Sequence, residues 1–414
     1  GPNVLYRNNG DGTFSDVTEQ AGVGDPAWSQ SAAFVDYDAD GLADLMVVNY
    51  VRWSIRSDRQ CFSAADVRGY CGPSNYQAPM PDTLYHNEGQ GHFADVSASA
   101  GLGAAFGNGL GVACGDYNND GLTDIYVAND GMPNQLWLNQ GQGKFLDEAL
   151  LTGCAVNMQG ASEAGMGVAA VDADHDGDLD LFMSHIRGES NTFYVNQGGW
   201  FEDTTARMGL GAASVDFTGF GLGFADFDHD GLLDLYLVNG RVNFFEPAFD
   251  GDDVFAEPNQ LFAGRGESQF EEVMPRGGTL PELIATSRGT AFGDLDNDGD
   301  TDVVVINKDG PVHLLRNVRG EQGHWIIFRV LNDTGGYALD AVVKLEAAGQ
   351  VQMRRVQRAY SYGASNDPRV HFGLGTAKTV DRVTVRWIDG GQAEFGPFEA
   401  GQIHDLRRQD GDSK

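Results

Sequence analysis

Aspartates recur in this chain at a spacing suited to wrapping a cation in oxygen. Asp36, Asp38, Asp40 and Asp44 stand at positions one, three, five and nine of a loop whose sixth residue is Gly41. The frame returns as Asp116, Asn118, Asp120 and Asp124, then as Asp172, Asp174, Asp176 and Asp180. It returns twice more, as Asp226, Asp228, Asp230 and Asp234, and as Asp294, Asp296, Asp298 and Asp302. Glycine at position six permits a sharp turn, so alternate side chains point inward and the carbonyl of position seven can join them. Position seven is Leu42, Leu122, Asp178, Leu232 or Asp300. Calcium accepts roughly six to eight such oxygens, whereas magnesium keeps its waters and demands a stricter octahedron. Calcium, about five ions per chain, is therefore the expected cofactor. Carboxylates this crowded repel one another strongly without a cation, so the ions are expected to staple each loop.

Loops in phase need a repeated scaffold. Each is preceded by small and apolar residues, as in GLGVAC and GLGFA. Each is followed by an apolar run: LMVVN, IYVAN, LFMSH, LYLVN or VVVIN. The order is strand, loop, strand. A second hairpin follows, as in QLWLNQGQGKFLDE and FYVNQGGWFEDT, where Asn and Gly supply the positive φ of tight turns. Each unit thus holds four antiparallel strands, and a lone sheet of that size cannot bury both faces. Packing several around an axis can. The expected fold is all-β: a calcium-binding β-propeller over residues 1–317, followed by a smaller β unit. Residues 2–6 (PNVLY) align with 133–137 and 258–262, so the chain is expected to open on the outer two strands of a unit. The blade number is six or seven, with seven favoured.

Residues 318–408 read as period-two runs, WIIFRVLN, AVVKLEAA, VQMRRVQRAY and DRVTVRWID, parted by Gly, Asn and Asp turns. Residues 409–414 form a tail. The basic stretch 353–358 either faces the acidic propeller or lies in solvent.

The five loops and their flanking strands, within residues 1–317, resemble FG-GAP/VCBS repeats, the calcium-binding propeller blades also found in integrin α-subunits. Residues 318–408 resemble the ASPIC/UnbV domain. The likeness rests on His324-Trp325, on residues 367–375 (DPRVHFGLG), on residues 380–383 (VDRV) and on residues 386–390 (RWIDG). Propeller and tail together are similar to the cartilage acidic protein family and its bacterial relatives. Asp340 stands where that pattern usually has glycine, and Tyr360 and Ser361 replace glycines ahead of DPRVHFGLG. The resemblance implies a shared fold but carries over no ligand role for that segment.

Bulk composition narrows the partners. The formal net charge of the 414 residues is −33, and the acids fall in clusters. That balance disfavours nucleic acid and anionic membranes and favours site-bound cations. No apolar run approaches the ~20 residues of a membrane span. No leader peptide is visible, which reads as a mature chain. Cys61 and Cys71 lie in an insert with Gly, Pro and Ser and are expected to bridge, leaving Cys114 and Cys154 to pair with each other. Disulfides, and loops that fill at millimolar calcium, point to an extracellular or periplasmic setting.

Two insertions, 51–80 and 241–257 with Phe244, Phe245, Phe249 and Phe255, fall on the rim opposite the acidic loops. Long loops on one face often carry function. The strand ends meeting there bring Trp28, Gln30, Tyr50, Trp53, Phe220 and Arg288 toward the channel mouth as a candidate ligand pocket. No G-x-S-x-G elbow, HExxH, P-loop or dinucleotide fingerprint occurs. His185, Arg187, Arg241, Arg288 and Glu163 are the candidates for acid–base work there. The leading reading is a binding or adhesion module for an unidentified protein, glycan or small molecule. The alternative is an enzyme (a lyase, hydrolase or natural-product cyclase) acting at the same mouth.

Overall fold

The inner strands are built from residues small enough to meet at an axis. In a computed structural model describing residues 2–63, 66–244, 246, 248–250, 252–266, 269–319 and 323–413, five such strands lie side by side. They are Ser29–Val35, Gly109–Gly115, Val168–Val171, Gly219–Ala225 and Ser287–Gly293, each against the next. A Cβ on Gly111 would stand 2.4 Å from the Met166 carbonyl oxygen, and one on Gly167 2.1 Å from that of Phe220. One on Gly221 would stand 2.6 Å from the Thr290 nitrogen. These approaches admit no side chain. Ser31, at the matching place in the first strand, donates its hydroxyl to the Leu110 carbonyl.

Each inner strand begins a sheet that runs outward. Blade 1 continues with Asp44–Asn49, Thr83–Gly89 and His92–Asp95, and blade 2 with Asp124–Asn129, Gln135–Asn139 and Phe145–Asp147. Blade 3 adds Asp180–Met183, Thr192–Asn196 and Phe201–Asp203; blade 4 adds Asp234–Asn239, Gln260–Gly264 and Phe270–Glu272. Blade 5 has three strands, adding Asp302–Asn307 and His313–Leu315. A hairpin of Tyr6–Asn8 and Phe14–Asp16 precedes them, and Leu5 packs on Ala21, Val47 and Tyr85 beside blade 1. Five blades and this separate hairpin therefore stand among the described residues. No helix of the described residues is long and apolar enough to cross a membrane. Phe245 lies outside the described residues.

Alternation along the strands gives each sheet two dry faces. In blade 2, Val112, Cys114, Ile125, Val127 and Trp137 pack toward blade 1. Ala113, Tyr126, Ala128 and Leu136 pack toward blade 3, together with Cys154. This corrects the expected Cys114–Cys154 bridge. The two thiols are buried, unbridged, and in cores on opposite faces of one sheet. Cys61 and Cys71 are bonded as expected.

The C-terminal residues form a second packed unit. His324–Leu331 pairs antiparallel with Val370–Gly375 and parallel with Gln402–Arg407. Against it lies a five-stranded sheet in the order Gln350–Arg355, Val342–Ala347, Arg382–Arg386, Gln392–Phe395 and Asp412–Ser413. Phe328, Val343, Phe372, Val385 and Trp387 fill the core between them. This unit sits on the acidic-loop rim. A Cβ on Gly373 would lie 1.8 Å from an Asp226 oxygen, and one on Gly299 1.9 Å from the Trp325 ring. Arg369 donates to Asn297 Oδ1 at 2.7 Å and to the Asp294 carbonyl. Arg355 donates to the Asp116 carbonyl at 3.4 Å. Arg354 and Arg355 of the basic stretch thus face the propeller, while Arg358 lies over the Tyr337 ring. A cavity of about 150 Å³ remains between the two bodies, lined in part by Asp172, Asp226, Arg354, Tyr360 and His371.

The run VQMRRVQRAY does not stay a strand. Pairing ends at Arg355, and residues 356–366 leave the sheet for the propeller axis. Ser361 exchanges backbone hydrogen bonds with Val168 at 2.8 and 3.2 Å. Its hydroxyl donates to the Thr290 carbonyl at 2.9 Å and accepts from the Leu222 amide at 3.0 Å. Tyr360 stacks on Phe292, and Tyr362 meets Phe220, at centroid distances of 6.2 and 5.0 Å. The departures Tyr360 and Ser361 are therefore the residues that plug the channel.

Two outcomes follow. Ser361→Ala should leave two buried backbone groups unpaired and lower stability by about 1–3 kcal/mol, read as a shifted urea midpoint; an unmoved midpoint would contradict the plug. Burial pushes the Cys154 thiol up to about 12 and raises that of Cys114 as well. Both thiols should therefore ignore a thiol reagent in the native protein and react together on unfolding. A native thiol that titrates at once, or none after unfolding, would refute this.

Candidate metal centres and the opposite rim

The last aspartate anchors each loop. Asp44 accepts the Tyr37 and Asn87 amides at 3.3 and 2.7 Å, and Asp124 those of Tyr117 and Asn139 at 3.0 and 2.7 Å. Asp180 accepts from Ala173 and Asn196 at 3.1 and 2.9 Å, and Asp234 from Phe227 and Gly264 at 2.9 Å each. Asp302 accepts from Leu295 and Asn317 at 3.1 and 2.9 Å. Position nine thereby ties the loop to the third strand of its blade. Position five accepts the amide of position seven in all five loops, from Leu42 on Asp40 at 2.7 Å to Asp300 on Asp298 at 3.0 Å. Position six glycines take φ between 86° and 100°. Position four is left-handed too, though it is Ala39, Asn119, His175, His229 or Asn297.

The loops also join one blade to the next. Asn139 Nδ2 donates to the Tyr37 carbonyl, Asn196 to that of Tyr117, and Asn317 to that of Phe227, each at 2.8 Å. Each carbonyl belongs to the second loop position of the preceding blade.

This frame turns the remaining oxygens inward. Asp36, Asp38 and Asp40 each offer an oxygen within 4.8 Å of the others. So do Asp172, Asp174 and Asp176; Asp226, Asp228 and Asp230; and Asp294, Asp296 and Asp302. In loop 2, Asn118 donates to Asp120 at 3.0 Å. Several of these oxygens are buried with no hydrogen-bond partner: Asp36 Oδ1, both of Asp172, and Asp228 Oδ1. An orphaned buried carboxylate oxygen is costly unless a cation meets it. Burial pushes the carboxyls of Asp36, Asp44 and Asp172 up to about 6, of Asp124 and Asp234 to about 7, and of Asp180 and Asp226 to about 8. The residues present fit a divalent ion in each of these clusters.

Two contacts on the loops were missed in the sequence. His86 Nδ1 lies 3.1 Å from Asp44 and 3.5 Å from Asp38, and Arg316 lies 2.7 Å from Asp296 and 2.8 Å from Asp298. Both residues directly precede the third-strand asparagine of their blade, so the repeat register was the available signal.

The opposite rim gathers only some of its candidates. Trp28 stacks edge-on against Tyr50 and Trp53 at 5.5 and 5.6 Å, and Tyr50 donates to Asp130 at 2.7 Å. Gln30 lies beside Gly363 of the plug. Phe220 is buried beneath Arg288, whose guanidinium carbon is 4.1 Å from its ring centre and whose nitrogens reach the carbonyls of Gly240, Ser287 and Arg241. His185 is 1% exposed, bonded to the Ser190 carbonyl at 2.9 Å and 3.8 Å from Glu163. Arg187 turns to Asp216 at 3.5 Å, and Arg241 is buried against Glu257 at 3.0 Å. Of the acid–base set, His185 and Glu163 come together inside the fold, and Arg288 reaches the Arg241 carbonyl.

Comparison with known sequences accords with the two bodies. Residues 333–413 match the model for ASPIC and UnbV, and residues 1–47, 70–127 and 116–183 match that for the FG-GAP-like repeat. The chain is an FG-GAP-repeat protein with an ASPIC/UnbV domain. The FG-GAP match stops at residue 183, yet loops 4 and 5 keep the same hydrogen-bond frame. The chain is 26% identical over 397 residues to cartilage acidic protein 1 of Mus musculus, covering 93% of this chain and 56% of that protein. For the Xenopus tropicalis protein the figures are 28% over 394 residues, 91% and 54%. The chain thus spans about half the length of these relatives. Among solved structures it is similar to an Agrocybe aegerita lectin described as recognising terminal N-acetylglucosamine (16% identity, 77% and 75% covered, TM-score 0.40). It is also similar to Aleuria aurantia lectin with a methyl fucoside (9%, 90% and 96% covered, TM-score 0.34).

The pH behaviour of the FG-GAP loops follows from their dryness. A carboxyl raised in the folded state binds a proton there more tightly than in the unfolded chain. Its contribution is whole below about 4 and is lost as pH rises through the folded values. The cation-free protein should therefore melt at progressively lower temperature between pH 5 and 8. Saturating calcium should flatten that slope and release protons on binding. Equal slopes with and without the ion would refute the linkage.

Proposed function

We propose that this chain is an extracellular binding module in which calcium locks the blades and a glycan docks on the rim opposite the loops. Calcium is supported by the donor sets, which are carboxylate and amide oxygens on tight, glycine-hinged loops. A setting outside the cytoplasm is supported by the Cys61–Cys71 bridge in the rim insertion.

The observation that carries the ligand reading is the aromatic group at the rim. Trp28 and Trp53 are 38% and 39% exposed and stand edge to face at 5.6 Å beside Tyr50. Trp53 Nε1 donates to Asp58 at 3.1 Å, which leaves the ring wall fixed and a carboxylate beside it. Rigid aromatic faces next to polar acceptors suit the alternating apolar and hydroxylated surface of a sugar. Turnover would instead need His185, Arg187, Arg241, Arg288 and Glu163 to converge on solvent. In the fold they are engaged in holding the blades and their connections.

A glycan array probed with the full chain in calcium tests this. Trp28→Ala and Trp53→Ala should each weaken the selected glycan by about 10-fold, or ~1.4 kcal/mol, with the melting temperature kept. Absence of any glycan signal, or full affinity in both variants, would overturn the reading.

A further inference from the structure

The five loops are not chemically equal, and the difference lies in the residue the third strand brings to each. In blade 1, Tyr85 pairs with Leu45, so the next residue, His86, stands over the loop. The same register places Leu138, Val195, Ala263 and Arg316 in blades 2 to 5. Leu, Val and Ala offer no donor. Arg316 brings a positive charge onto Asp296 and Asp298, taking part of the role of an ion. Among these third-strand residues His86 alone brings a neutral-capable nitrogen donor, and the His229 Nε2 that lies 3.5 Å from Asp300 belongs to none of the ligand clusters.

Its geometry is that of a ligand set. Asp38, Asp44 and His86 each present one atom within 4.8 Å of the other two. His86 Nδ1 is 3.1 Å from Asp44 Oδ1 and 3.5 Å from Asp38 Oδ2. Ligands at roughly 2.0–2.1 Å from a tetrahedral zinc stand about 3.3 Å apart, between those two values. Asp44 Oδ1 already accepts the Asn87 amide at 2.7 Å, so the imidazole is not needed to satisfy it. Behind the group, Asp36 is 8% exposed and its Oδ1 has no partner. Calcium takes oxygen donors, whereas zinc and similar borderline metals favour imidazole.

We propose that loop 1 is a mixed carboxylate–imidazole site that takes zinc in preference to calcium, through His86, Asp38 and Asp44, while the other loops remain oxygen-only. The proposal rests on the reading that the loops hold divalent cations. Loop 1 then differs in kind from its neighbours rather than in strength.

Elemental analysis of the full chain, equilibrated with millimolar calcium and micromolar zinc and then desalted, decides it. The wild type should retain one zinc beside its calcium. His86→Leu, which copies the residue of blade 2, should lose the zinc, keep the calcium and melt as before in calcium. Zinc affinity should fall by at least about 10-fold, a cost already typical of losing a mere supporting contact to a metal ligand. Cobalt in place of zinc should give visible absorption that His86→Leu abolishes. Calcium in every loop without zinc, or equal zinc in wild type and variant, overturns this inference alone. A chain retaining neither ion overturns the cation reading with it.

Discussion

Charge held where water cannot reach it is the constraint on which this molecule turns. Asp44, Asp124 and Asp180 are fully buried, and Asp36, Asp116, Asp172, Asp226, Asp234, Asp294 and Asp302 nearly so. Backbone amides meet the position-nine carboxylates on both oxygens, which fixes the loop but cancels no formal charge. Neutralisation must come from protons, from cations, or from arginines. Arg316 in blade 5 and Arg354 and Arg355 of the C-terminal unit supply the last of these. Burial lowers the pKa of both C-terminal arginines, while Asp226 and Asp172 oppose the shift for Arg354, and Asp340 and Asp116 for Arg355. The two bodies are thus coupled electrostatically through the loops.

Disorder in one loop would not stay local. Each third-strand asparagine, Asn139, Asn196 or Asn317, holds a carbonyl of the preceding blade's loop, so a collapsed loop removes a contact between blades as well as within one. Hydrogen bonds of this kind are modest singly, but those left unmade in a dry interior cost more than they gave. Repeat architectures hold together by such nearest-neighbour terms.

The loops and blades were readable because their demands are local. Alternation, a glycine at position six and small residues at the axis are each dictated within a few residues of where they act. Gly111 and Gly221 fall in the small-residue runs that precede their loops, and the fold sets them, with Gly167, at the crowded centre. The cysteine pairing failed because which face of a sheet a side chain takes depends on strand phase: Cys114 faces blade 1, and Cys154 packs beyond the other face. The fate of residues 356–366 was hidden because alternation looks the same for a strand in a sheet and for a segment lining an axis. His86 was missed because a loop read in isolation contains no hint of what the neighbouring strand lends it. Asp340, Tyr360 and Ser361 stood out as departures from a family pattern; Tyr360 and Ser361 mark where this chain fills its own channel.

That filling sets an order of events during synthesis. Ser361 is hydrogen-bonded to residues 139 and 71 positions earlier, and Gly363 to Ser31, 332 positions earlier. All five blades leave the ribosome before the segment that closes their axis exists. A nascent propeller therefore waits with an open bore, and its last contacts are among the most distant in sequence, the kind that form slowly. The ring of blades is completed from its centre, by the part of the chain made after it.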